Sequence, residues 1–253
     1  MVDILNSKLT LLRVNIRKNF KHIIDNVIDQ HLSKVKICIF CGTSHRLTRE
    51  HVIPKWVIQD HNFSFFIDNT NGHNYFYERA TVPCCQSCNN DILSLLEKKI
   101  KELLRTKELG KKLYTPDDED LIVRWFEIID YKFQILDLQK KFTRHKDREF
   151  VAYIKDVPLT MMKHSIKGSS CQAFKELRQS LRRISIKNKN SKENSLIFMT
   201  TTNNDSHFMH SDGHFIFIEL PIINKALFYF LESEFKSHSQ ALRKAQKILN
   251  KAY

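Results

Sequence analysis

The chain has 253 residues, enough for one large or two small domains with a sizeable core. A 42% apolar fraction with 18 Phe argues against wholesale disorder. The formal charge of +13 points to a polyanionic partner, nucleic acid first and an anionic membrane second. With five Gly, no G-x-x-x-x-G-K-[ST] and no G-x-G-x-x-G, a phosphate-cradling glycine loop is excluded.

Residues 1–36 predict one long amphipathic helix, with Leu5, Leu9, Leu12, Ile16, Phe20, Ile23, Ile24, Val27, Ile28 and Leu32 at helical spacing. Asn6, Ser7 and Lys8 interrupt its start, which speaks against a signal peptide or membrane span. Packing in a core or across a homodimer is the expectation for its apolar stripe. Cys38-Ile39-Phe40-Cys41 then forms a C-x2-C knuckle on a tight hairpin over 37–45, with Gly42 at the turn. After it comes Arg49-Glu50-His51-Val52-Ile53-Pro54-Lys55-Trp56. The segment 57–80 is aromatic and Asn-rich, with Phe63, Phe65, Phe66, Tyr75, Phe76 and Tyr77 around the hairpin signal Asn71-Gly72. The alternation Phe63-Ser64-Phe65 favours strand packing over base stacking. A second knuckle closes the stretch, Cys85-Gln86-Ser87-Cys88-Asn89-Asn90.

A thiolate pair two residues apart grips one face of a zinc ion, and two such pairs complete a tetrahedron. Cys38, Cys41, Cys85 and Cys88 therefore read as a closed structural Zn²⁺ site with no position left for substrate. Cys84 is an alternative to Cys85, but the C-x2-C spacing selects Cys85; Cys171 reads as a buried thiol. Six Cys used mostly for one metal fit a reducing cytoplasm better than a secreted disulfide frame.

From 91 to 109, Ile92, Leu95, Leu96, Ile100, Leu103 and Leu104 predict a helix capped by Asp91 and stopped by Gly110. Lys98, Lys99, Lys101, Arg105 and Lys107 line its other face. Thr115-Pro116-Asp117-Asp118 starts a further helix that takes Trp125 into the core. A strand is expected over 150–154, a basic helix over 172–186, a loop over 187–195 and a strand over 196–202. Ser211-Asp212-Gly213 marks a hairpin, and its His207, His210 and His214 are read as exposed histidines in preference to a second metal site with Asp205 and Asp212. Residues 221–253 read as one or two closing helices.

The two knuckles, with Glu50-His51, Pro54 and Asn89 between and behind them, resemble the HNH (His-Me finger, ββα-metal) endonucleases, in the branch with a four-Cys zinc staple. The resemblance covers about a fifth of the chain. In that family an acidic residue and a His open the active site, usually with Pro three residues later, and an Asn or His just past the last Cys closes it. Asn90 is a weaker substitute for Asn89. The chain departs from the family at Ala80 and Thr81, where many members carry a middle Asn, so the group that orients His51 is left open.

The resemblance implies an α+β protein whose ββα-metal core is embedded among helices. The expected organisation is an N-terminal helix over 1–36, a nuclease core over 37–110, and a C-terminal helical and β-hairpin region over 111–253 without assigned role. It implies a hydrolase of phosphodiester bonds leaving 5′ phosphate and 3′ hydroxyl ends. His51 would be the base, near its ordinary pKa of about 6.5. Glu50 and Asn89 would offer oxygen ligands to a catalytic Mg²⁺ or Mn²⁺. Arg49, Lys55, Lys98, Lys101 and Arg105 would contact phosphates of DNA, with RNA left open. Restriction, phage defence or a mobile element is the setting by analogy. The alternative is a zinc-dependent nucleic-acid-binding protein without cleavage; a subunit that contacts a partner protein through Phe-rich surfaces is the third reading. No membrane association is expected.

Overall fold

A computed structural model of the chain describes residues 2–29, 35–58, 65–68, 73–76, 79–107, 114–143, 158–162, 169–186, 194–204, 206–211 and 213–252. Helices and small antiparallel sheets are mixed in it, in keeping with the α+β expectation. None of its described helices is long and apolar enough to cross a membrane.

Helix α1 (Val2–Asp29) buries the stripe read from the sequence, with Leu12, Ile16, Ile23 and Ile24 at 1% exposure or less. Its partners are α5 (Pro116–Thr143) and α6 (Ser170–Ser185) of the same chain. The stripe that suggested a homodimer is thus covered within one molecule. Val35 and Lys36 are exposed and outside any helix, so the expected helix does not reach residue 36.

Strand β1 (Leu47–His51) pairs antiparallel with β4 (Thr81–Cys85), Glu50 opposite Val82 and His51 opposite Thr81. Between them in sequence stand the one-turn helix α2 (Lys55–Ile58) and the hairpin β2 (Phe65–Asp68)/β3 (His73–Phe76). From β4 the chain passes directly into α3 (Gln86–Cys88), a π-helical turn Asn89–Leu93, and α4 (Ser94–Thr106). Asn71-Gly72, Gly110 and the strand expected over 150–154 lie outside the described residues.

Helix α5 organises the molecule. It opens with a reciprocal cap: the Thr115 N–H donates to Asp118 Oδ2 at 2.9 Å and the Asp118 N–H to Thr115 Oγ1 at 3.2 Å, with Pro116 at the first helical position. From Leu121 through Leu138 nearly every residue is buried, Trp125 at 1% exposure among them. That burial includes Glu127, Asp130, Lys132 and Gln134, so each polar group needs a partner inside the protein. Asp130 takes Arg183 Nη2 at 2.7 Å and His210 Nε2 at 3.0 Å, and Glu127 accepts from the Tyr229 hydroxyl at 3.1 Å.

The C-terminal sheet is antiparallel in the order β5 (Leu196–Thr200), β8 (Lys225–Phe230), β7 (Phe215–Leu220), β6 (Phe208–Ser211). The β6–β7 hairpin falls where Ser211-Asp212-Gly213 predicted it, although Asp212 itself lies outside the described residues. The closing-helix reading of 221–253 is corrected. A short 3-10 turn at Pro221–Ile223 leads into β8, and only then comes the helix α7 (His238–Ala252). Strand β8 escaped recognition because both its faces are covered. Leu227 and Tyr229 join the main core, whereas Ala226, Phe228 and Phe230 pack with Ala241 and Ala245 of α7. A strand buried on both sides shows no alternation of apolar and polar residues. The main core itself runs unbroken from α1 through both knuckles and α4 to α5, α6 and the sheet, across the expected boundary near residue 110.

Candidate metal centre and the adjoining Glu50-His51 strand

The first knuckle is a tight loop in which the Cys38 N–H donates to the Thr43 carbonyl at 2.7 Å and the Gly42 N–H to the Cys38 carbonyl at 2.9 Å. Gly42 takes φ +76, a conformation that L side chains rarely adopt, and a Cβ there would press on His22 and Asn19 of α1. The second knuckle is the start of a helix. Cys85 is extended, and its Sγ accepts the Cys88 N–H at 3.4 Å, so a candidate metal ligand doubles as the helix cap.

Pairing of β1 with β4 brings the knuckles together. The Sγ atoms of Cys38, Cys41, Cys85 and Cys88 all lie within 4.8 Å of one another, with Cys41 and Cys85 at 3.6 Å. Sulfurs at the corners of a zinc tetrahedron stand about 3.8 Å apart, given Zn–S bonds of about 2.3 Å. This is the one cluster of three or more His, Cys, Asp or Glu among the described residues that could hold a metal. Its electrostatics ask for a cation. Hydrogen bonds from the Cys84 and Cys88 thiols hold Cys38 far below the ordinary thiol range, while burial pushes Cys41 up to about 12. Cys88 is raised because it donates to Cys38 and because it is buried. Four thiolates this close together repel one another, and a bound zinc ion would offset that charge. Cys84 is fully buried and stays outside the four-sulfur group, as the spacing argued. Cys171 is half-buried, not buried as expected.

Strand β1 carries the residues between the knuckles. Side chains alternate along it, so Thr48 and Glu50 share one face and Arg49 and His51 the other. Asn89, the first residue of the π-helical turn, donates from Nδ2 to Thr48 Oγ1 at 2.9 Å, and Thr48 in turn donates to the Cys84 carbonyl at 2.9 Å. Asn89 is thereby tied to the Glu50 face of β1, two residues from Glu50. Its amide nitrogen is engaged, and the Oδ1 carbonyl is the atom that could face a cation. Glu50 is 7% exposed and His51 half-buried. Arg49, Lys55, Lys98 and Arg105 are exposed and Lys101 is half-buried.

Asp91 does not cap the helix. The helix has already begun at Gln86, and Asp91 stands inside it, accepting from Ser87 Oγ at 3.1 Å. The sulfur cap at Cys85 moved the start five or six residues upstream of where the apolar periodicity began. The π-helical turn, a feature frequent at functional sites, has no signal in the sequence. Next to the knuckles a cleft of about 430 Å³ is lined by Thr43, His45, Arg46, Gln86, Asn90 and Asp91, with the Glu50-His51 pair outside it.

Lys132 of α5 is the residue the sequence reading missed. At 1% exposure, its Nζ donates to Glu50 Oε1 at 2.8 Å and to the His51 carbonyl at 2.8 Å, with Glu97 of α4 at 4.0 Å. Burial pushes the Glu97 carboxyl up to about 7, against the pull of Lys132. A signal existed: a lysine in the middle of Ile128-Ile129-Asp130-Tyr131-Lys132-Phe133 cannot reach water without a partner.

The exposed-histidine reading of the hairpin holds only in part. His214 is exposed, whereas His210 is 7% exposed in its side chain, stacks on Phe133 and bonds Asp130. His207 pairs with Glu219 at 2.6 Å. Asp205 and Asp212 lie outside the described residues.

The chain matches no protein-family model, no curated protein and no solved structure.

Proposed function

We propose that this protein is a zinc-stapled endonuclease of the HNH kind, hydrolysing phosphodiester bonds, with DNA as its first substrate. The observation that carries the reading is the juxtaposition at the four-Cys cluster. Two antiparallel strands and a helix hang on it, with Glu50-His51 at the end of one strand and Asn89 at the head of the helix, joined through Thr48. His51 is the base that takes a proton from the attacking water. Glu50 and the Asn89 carbonyl are the oxygen ligands suited to Mg²⁺ or Mn²⁺. Such a cation, when bound, offsets the charge that develops on phosphate and on the leaving oxygen. Arg49, Lys55, Lys98, Lys101 and Arg105 offer cations to the polyanion around the site, in line with the net charge of +13.

A second reading has one observation in its favour. The Glu50 carboxylate is already balanced by the Lys132 ammonium, as in a scaffold that binds nucleic acid and cuts nothing. The two part in one assay: nicking of supercoiled plasmid with Mg²⁺, Mn²⁺ or EDTA, beside His51→Ala of matched zinc content. The endonuclease reading expects metal-dependent nicking that vanishes in the variant. DNA binding by both proteins with cutting by neither would favour the scaffold reading.

A further inference from the structure

We propose that Lys132 is the positioning residue for the Glu50-His51 pair, in the role for which the sequence offers no group at Ala80. The inference rests on the endonuclease reading for its purpose, though its geometry stands independently of it.

The peptide between His51 and Val52 is held at both ends. Its carbonyl accepts from Lys132 Nζ at 2.8 Å, and its N–H donates to the Ala80 carbonyl at 2.8 Å. A peptide plane pinned on both edges fixes ψ of His51 and φ of Val52, the two soft torsions beside it. With ψ set, the direction of the His51 Cα–Cβ bond relative to the strand is set too. The same ammonium donates to Glu50 Oε1, so one buried nitrogen orients a side chain on one face of β1 and the backbone that aims the next side chain to the other face. Ala80 has no side-chain donor, and its backbone serves the N–H half only.

Stability alone does not call for a lysine here. A buried ion pair recovers little more than the cost of desolvating it, and replacing both partners together by apolar side chains of equal volume is commonly neutral or stabilising. Methionine alone is of similar length for this fully buried position, but it leaves the Glu50 carboxylate buried without its ammonium and so destabilises. What it would lose is the donor to His51 and the partner of Glu50. Lys132 belongs to α5, whose Tyr131 holds the first knuckle through the Ile39 carbonyl at 2.7 Å, so the helix that supports the zinc site also sets the pair beside it.

The test uses zinc-loaded full-length protein and Lys132→Met, with zinc content and DNA affinity measured for both. Two readouts follow. In the first, NMR of uniformly isotope-labelled protein follows the His51 ring and the Val52 amide without any added Mg²⁺ or Mn²⁺. Lys132→Met is expected to broaden or split these signals while those of the knuckle residues keep their positions. In the second, plasmid nicking is expected to lose about 10²-fold in kcat with KM for DNA unchanged, the scale of a small misplacement of catalytic groups. Unchanged His51 and Val52 signals in Lys132→Met would overturn the proposal, as would an unchanged kcat in a nicking-competent protein. If the wild type does not nick, the endonuclease reading falls and the NMR result still decides the role of Lys132. Should the Met variant fail to fold, Lys132→Arg, which keeps the charge and displaces the donors, is read in the same two ways.

Discussion

The Tyr131 hydroxyl donates to the Ile39 carbonyl at 2.7 Å, linking the middle of α5 to the inside of the first Cys-x2-Cys loop across 92 positions of sequence. Both partners are fully buried, and the Tyr131 ring also lies against Phe40 at 5.9 Å between centroids. The knuckle is therefore held from outside by a helix as well as from inside by its own turn. Tyr131→Phe leaves the Ile39 carbonyl buried without that donor, a loss of about 1–3 kcal/mol. Urea unfolding should show the lower midpoint, and competition with a chelator should show faster zinc loss. A midpoint equal to the wild type would mean that the bond adds nothing to the knuckle.

Removing the metal should undo the core around residues 38–106. Purified protein is expected to carry one zinc per chain, with Cys38→Ser, Cys41→Ser, Cys85→Ser and Cys88→Ser each losing it, and Cys84→Ser and Cys171→Ser retaining it. Metal analysis with far-ultraviolet circular dichroism before and after chelation checks this. The pH dependence has a definite sign. Zinc binds thiolates, and burial pushes the Cys41 thiol up, so binding must expel protons. Affinity should fall as pH falls. An affinity indifferent to pH would mean that the thiols are not the ligands.

The Asp130 carboxylate gives an acid-sensitive contribution to stability. Burial alone would push its pKa up, but Arg183 and His210 hold it well below the usual carboxylate range. A depressed folded value stabilises the protein above the unfolded pKa of about 3.9 and loses that stabilisation as pH falls through the folded value. Asp130→Asn leaves the Arg183 guanidinium without its 2.7 Å partner and should cost about 3–5 kcal/mol near neutral pH. Unfolding curves of both proteins should converge in strong acid. A gap of constant size at all pH values would contradict the assignment.

At the β6–β7 hairpin, Gly213 takes φ +69, and a Cβ there would collide with the Glu176 carboxylate of α6. Strain and collision act together, so Gly213→Ala should destabilise by at least the ~1–3 kcal/mol of a non-glycine residue in that conformation. Thermal unfolding measures it. The variant should leave zinc stoichiometry untouched, since the atoms a Cβ at 213 meets belong to Glu176 of α6 and not to a knuckle.

How much of this was legible in the residues varies with the range of the interaction. Spacing alone located the four Cys that the fold brings together as candidate metal ligands, because a C-x2-C loop is a local geometry that one metal completes. Periodicity located α1, the helix over 91–109 and α5, because each has an apolar stripe or a proline and acids at its start. Motif order singled out Glu50, His51 and Asn89 as one set. The limits were local too: a cap made by a cysteine sulfur misled the reading at Asp91, and β8 carried no alternation because α7 covers its second face.

The sequence by itself determined which residues can ligate zinc, that the chain folds around a sizeable apolar core, and that its charge suits a polyanion; these depend on composition and on neighbours a few positions apart. The tertiary structure alone decided that Asn89 bonds Thr48, that Glu50 turns inward, that His210 is buried against Asp130, and that Lys132 reaches the strand 81 positions before it. The physical reason is the placement of α5. A helix packed on nearly every side must find partners for each of its polar groups wherever the fold brings them, and no spacing rule in the chain records where that is.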